Sequence, residues 1–173
     1  MIRVWTRIAA YIIVFVLLQV LVMNNIHLFG IVTPFIYLYV ILKFPVDMSR
    51  TNVIILSFMT GLIIDIFSNT FGIHAAACSF AGFIRMPLLE RFVDMREIQE
   101  GSVPSYTTFG FVKFIRYTLI LVFLHHITLF LIEAFSLFQP GLMIMRMLSS
   151  ILFTSLLMFI IEAFNISKSK SGE

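Results

Sequence analysis

IAAYIIVFVLLQVLVMNNIHLFGIVTPFIYLYVIL, residues Ile8–Leu42, contains no Asp, Glu, Lys or Arg. About 20 mostly apolar helical residues cross a bilayer core, so the stretch is long enough for two crossings. Met23-Asn24-Asn25-Ile26-His27-Leu28-Phe29-Gly30 supplies the turn between them, because Asn-Asn and Gly suit a connection better than lipid. Working outward, charge-free runs recur at Thr51–Ile64, Ile66–Ile84, Tyr117–Ile132 and Met147–Ile161. The chain therefore reads as an all-α polytopic membrane bundle forming one transmembrane domain over residues 1–173. Six helices are expected, at about Ile8–Met23, Ile31–Phe44, Asn52–Phe67, Ile73–Leu89, Gly110–Phe135 and Leu142–Phe164.

Charge placement supports that count. With six crossings, one side collects Arg3, Arg7, Lys43, Arg50, Arg85, Arg91, Arg96, Lys113, Arg116, Lys168 and Lys170, leaving only Arg146 opposite. Positive residues gather on the cytoplasmic side of membrane proteins, so both termini are expected there. The net charge of +3 belongs to this topology and gives no argument for nucleic acid. Hydrophobic residues make up 60% and charged residues 12%, against about 25% charged in soluble domains. Arg3 and Arg7 precede an apolar run, as in a signal peptide, but that run leads into Val22-Met23-Asn24-Asn25 without a small-residue cleavage site. An uncleaved first helix is expected. Cys78 is the single cysteine, which excludes an internal disulfide.

Prolines mark the breaks. Pro34 falls in the first turn of the expected second helix, where a missing N–H is harmless, and Pro45 stops that helix. Pro140 and Gly141 turn the chain into the sixth helix, and Pro87 should kink or end the fourth. Between Glu90 and Thr107, the spacing of Leu89, Phe92, Met95 or Val93, and Ile98 suggests a short helix on the cytoplasmic interface.

Ionisable groups inside a span are functional candidates, because burying one costs several kcal/mol unless it is paired or wet. Asp65 lies one turn after Gly61 and precedes Ser68-Asn69-Thr70. It reads either as a proton or ligand contact, or as a carboxylate capping the fourth helix with help from the helix dipole. His125, His126 and Glu133 share the fifth helix, where a metal or proton relay competes with ordinary hydrogen bonding between helices. Arg85 is placed to snorkel to the cytoplasmic surface, and Arg146 to pair with Glu133 or a lipid headgroup. Ala75, Ala76, Ala77, Ser79, Ala81 and Gly82 make the fourth helix small-sided, which suits close packing on the third through Gly61. No catalytic constellation, phosphate loop or metal-ligand spacing is present, so no enzyme, cofactor or metal is expected.

From the second to the fourth helix the chain resembles the rod shape-determining MreD family. The carrying residues are Pro34 and Pro45 bracketing the second span, Gly61-x-x-x-Asp65 followed by Ser68, and Gly72 with Ala75 behind it. The resemblance implies a non-enzymatic, multi-pass subunit of the bacterial inner membrane. It implies association with a bitopic MreC-like protein and, through it, with the actin-like MreB filament and a cell-wall glycosyltransferase–transpeptidase pair. It also implies a fold similar to the substrate-binding components of energy-coupling-factor vitamin transporters. That similarity makes vitamin capture the rival function. Its docking pattern, Ala-x-x-x-Ala on the first helix, is missing here, although Ala77 and Ala81 reproduce it on the fourth.

Overall fold

A computed structural model describes residues 2–25, 32–94, 98–134 and 140–170, and every regular element within them is a helix. In chain order these are α1 (Ile2–Leu21), running into a 3-10 turn at Met23–Asn25, α2 (Leu38–Leu42), α3 (Arg50–Ser68), α4 (Ile73–Phe92), α5 (Tyr106–Phe109), α6 (Phe111–Glu133) and α7 (Pro140–Lys170). Among the described residues, four segments are long and apolar enough to cross a membrane: Trp5–Asn25, Arg50–Ser68, Phe111–Glu133 and Gly141–Asn165. α4 has comparable length, but its Ala, Ser and Gly content makes it less apolar. Leu148, Leu152, Leu156 and Ile160 of α7 form an exposed apolar stripe at helical spacing, and Ile13, Val14, Leu17 and Leu21 line the outside of α1. This is a membrane protein with polar groups turned inward.

The expected second helix, Ile31–Phe44, does not form as such. Helix is confined to Leu38–Leu42, and Thr33-Pro34-Phe35 are not helical. Pro34 disfavours helical backbone at Thr33, and only ten residues separate Pro34 from Pro45. From Phe35 to Val46 every residue is buried. The segment is the core around which the long helices pack: Tyr37, Leu38, Tyr39, Ile41 and Leu42 have no exposed surface. Non-helical backbone is tolerated at membrane depth only when enclosed by protein that satisfies its hydrogen bonds. Extended residues also advance about 3.3 Å each against 1.5 Å in a helix, which lengthens the reach of so short a piece.

Three further expectations are corrected. Pro87 does not end α4, which continues to Phe92. The expected interfacial helix over 90–107 is absent among the described residues; α4 ends at Phe92, the next helix is α5, and Ser102 receives a hydrogen bond at its carbonyl from Val46 N–H. Finally, Arg85 does not snorkel. It is fully buried, and its Nη2 donates to the Phe44 and Pro45 carbonyls, closing the end of α2 where proline forbids further helix.

Candidate functional site

α3 and α4 meet at a corner built from the residues that carry the family resemblance. A Cβ on Gly61 would stand 2.6 Å from Ala75 Cα and 2.7 Å from Ala75 N, so only glycine lets the two backbones approach. Gly82 repeats the arrangement about two turns further along α4, where an added Cβ would stand 2.9 Å from Ser57 Cβ. Ala75, Ala77 and Ala81 are buried. The small-sided face of α4 is thus consumed by packing inside the chain.

Asp65 faces this corner and is 2% exposed. Its Oδ1 accepts from Thr70 Oγ1 at 2.5 Å and His74 N at 3.1 Å, and its Oδ2 accepts from Ala75 N at 2.8 Å. These N–H groups belong to the first turn of α4, which has no intrahelical partner for them, and the helix dipole favours a carboxylate there. Of the two readings of Asp65, the geometry is that of a cap. Asn69 ends α3 in the left-handed conformation (φ 55°) and Gly72 precedes α4 at φ 80°, a reversal tight enough to bring the carboxylate onto the next helix. Ser68 Oγ accepts from Asn24 Nδ2 at 3.0 Å, tying the same corner to the end of α1.

A second polar system holds the buried segment between the prolines. Gln19 of α1 has no exposed surface. Its Nε2 donates to Pro34 O at 3.0 Å and Asn24 Oδ1 at 2.9 Å, and its Oε1 accepts from Ile36 N at 2.8 Å. From α7, Ser150 Oγ accepts from Thr33 N at 3.2 Å and Thr154 Oγ1 from Phe35 N at 3.0 Å. The Thr154 hydroxyl continues to His126 Nε2 at 3.3 Å, while His126 Nδ1 is 2.8 Å from Val122 O. A proton on Nδ1 makes both contacts favourable: the ring donates to the carbonyl and accepts from the hydroxyl. Tyr37 OH lies 2.8 Å from His74 Nδ1 and 3.1 Å from His125 Nε2. One phenol proton serves one of these, so the other nitrogen must donate. With His125 protonated on Nε2, its partnerless Nδ1 is a bare lone pair, a cheaper orphan than a buried N–H.

At the other end of the segment, Lys43 Nζ and Glu162 Oε2 form an ion pair at 2.7 Å with side chains 4% and 1% exposed. Tyr39 OH donates to the same Glu162 oxygen at 2.7 Å and accepts from Asn165 Nδ2 at 3.0 Å, and Lys43 also donates to Pro104 O at 2.5 Å. The two histidines and Glu133 of α6 therefore do not act as a set: His125 and His126 are interior hydrogen-bonding groups, whereas Glu133 is exposed. Gln19, Lys43 and Glu162 as a buried framework were not legible as partners. The available signal was Gln19 itself, an amide near the end of an otherwise apolar first span.

α1, α3 and α6 end, and α4 and α7 begin, around a cavity of about 740 Å³. Its wall includes Asn24, Thr33, Phe35, Ser68, Thr70, His74, Phe130, Glu133 and Arg146. Among the described residues, no three His, Cys, Asp or Glu side chains are grouped to hold a metal. His27, expected in the first turn, lies outside the described residues. Set against protein-family models, curated proteins and solved structures, the chain matches none of them.

Proposed function

We propose that this chain is a non-enzymatic scaffold subunit of the bacterial cell-elongation machinery. In this reading it crosses the inner membrane six times with both termini cytoplasmic, α4 and the 33–44 segment supplying the crossings beyond the four long apolar helices. It docks the transmembrane helix of an MreC-like bitopic protein and so links the MreB filament to cell-wall synthesis. The carrying observation is that Gly61, Asp65, Ser68, Gly72 and Ala75, the ordered residues of the resemblance, come together in one helix corner whose Gly61, Asp65 and Ala75 are buried. Pro34 and Pro45 bound the segment that the other helices grip. Side-chain hydrogen bonds tie the buried segment to α1 and α7, and the long helices offer apolar outer faces, the form a docking subunit needs in lipid. The test is affinity capture from detergent-solubilised native membranes, with mass spectrometry of what co-purifies. An MreC-like protein or a cell-wall synthase is the expected partner; a coupling subunit with an ATPase overturns the proposal.

The rival reading, vitamin capture for an energy-coupling-factor transporter, is favoured by the cavity of about 740 Å³, a size suited to a small-molecule ligand. Its docking signature is weaker. Ala77 and Ala81 are fully buried within the chain, so they present no surface to a coupling subunit, and α1 carries only the adjacent Ala9 and Ala10. One vitamin per purified chain would decide for this reading.

A further inference from the structure

The cavity carries two charges of opposite sign that leave each other alone. Glu133 is the last residue of α6 and Arg146 lies in the second turn of α7. Both line the cavity and both are exposed. Among the described residues the one ion pair is Lys43–Glu162, so Glu133 and Arg146 are not joined. Around them Asn24, Thr33, Ser68 and Thr70 add hydroxyl and amide groups, while Phe35 and Phe130 give an apolar floor. Asn24 is held in place through Gln19 and Ser68, so that polar wall is built before any ligand arrives.

Charged groups at the margin of a bilayer are stabilised by meeting an opposite charge. A guanidinium offers parallel N–H donors to a carboxylate or phosphate, and a carboxylate accepts from an ammonium. A ligand with only an anionic group would leave Glu133 unmatched, and a cation would leave Arg146 unmatched. We propose that this cavity binds a zwitterion, its anionic group on Arg146 and its ammonium on Glu133, with apolar atoms against Phe35 and Phe130. Two sources share that chemistry: the phosphoethanolamine headgroup of a membrane lipid, and a free amino-acid-like zwitterion from the aqueous side. The proposal rests on the cavity and its charges and on neither reading of function, because partner capture and ligand binding are measured separately.

The test uses the delipidated full chain in detergent, with binding read by native mass spectrometry. The probes are dioleoylphosphatidylethanolamine, dioleoylphosphatidylglycerol, which lacks the ammonium, and O-phosphoethanolamine, which lacks the acyl chains. The zwitterionic lipid is expected to bind about tenfold or more tightly than the anionic one, the scale of one charge-assisted hydrogen bond. Glu133→Gln should abolish that preference, and Arg146→Gln should weaken both lipids by about tenfold or more. The same pattern with O-phosphoethanolamine alone assigns the site to a free zwitterion and also upholds the proposal. Equal binding of the two lipids, binding unchanged in both variants, or binding of none of the probes overturns it. Because both side chains are exposed and outside the buried framework, their replacement is expected to leave the unfolding midpoint unchanged.

Discussion

Replacing Gln19 by Leu tests whether side chains from other helices hold the segment between Pro34 and Pro45. The substitution keeps the approximate volume and removes three hydrogen bonds, leaving Ile36 N–H and Pro34 C=O without their partner. A buried polar group left unsatisfied costs about 1–3 kcal/mol, which gives about 2–6 kcal/mol for the two backbone groups. Hydrogen bonds between membrane helices average about 0.6 kcal/mol when measured singly, because groups in the unfolded chain find other partners. Three such bonds set a floor near 2 kcal/mol, so both routes agree on the sign and on the lower limit. The molecule carries its own reporter: Cys78 is its single cysteine and is fully buried. A thiol-reactive maleimide dye therefore labels the chain as it opens, and a thermal ramp in detergent gives the midpoint. At about 2–4 °C per kcal/mol for a chain of this size, Gln19→Leu should lower that midpoint by at least about 4 °C. Leu17→Ala, at an exposed position on the same helix, should move it far less. A Gln19→Leu midpoint within 1 °C or so of the parent would refute the claim that Gln19 anchors the segment.

The same assay reaches four other features. Gly61→Ala drives a Cβ into the α4 backbone and should cost about 1–3 kcal/mol, the usual range for overpacking. Gly72→Ala, which meets open space but has φ 80°, should cost about 1–2 kcal/mol through backbone strain alone and leave α3–α4 packing unchanged. Asp65→Leu strips the cap from α4 and should cost about 2–4 kcal/mol, while Asp65→Asn, which keeps an acceptor, should cost about half as much; unchanged stability and partner capture after Asp65→Leu would remove this corner from the proposed mechanism. Lys43→Met alone leaves Glu162 as an uncompensated buried charge and should cost about 3–5 kcal/mol. Adding Glu162→Leu should recover most of that loss, and a double variant no better than the single one would show that the pair itself provides the stability.

Much of this architecture was readable because lipid imposes a simple rule on helices: long apolar runs without charge become spans. That rule located α1, α3, α6 and α7. The α3–α4 corner was also legible, since glycine opposite a small-sided helix and an acid before a polar turn each have a local physical meaning. Two things escaped. Pro34 is compatible both with the first turn of a helix and with extended chain, and the choice was made by Gln19, Ser150 and Thr154, residues on other helices. Arg85 sits close enough to a helix end to snorkel, yet the carbonyls of Phe44 and Pro45 draw it inward. In both cases the deciding partner is distant in sequence, which hydropathy and spacing along one segment cannot reveal.

The route of the 33–44 segment also bears on how the chain is made. Gln19 precedes it, so the groups that pair with Pro34 and Ile36 exist as soon as the segment emerges. The acceptors for Thr33 and Phe35 lie 117 and 119 residues downstream. At about 5–20 residues per second, the ribosome needs about 6–24 s to supply them. During that interval the segment has half its anchors, and α7, synthesised after the other described helices, completes its enclosure. Truncation before Ser150 should accordingly leave a nascent chain whose earlier helices are made but whose central segment lacks the acceptors for Thr33 and Phe35, which makes α7 the latch of the assembly.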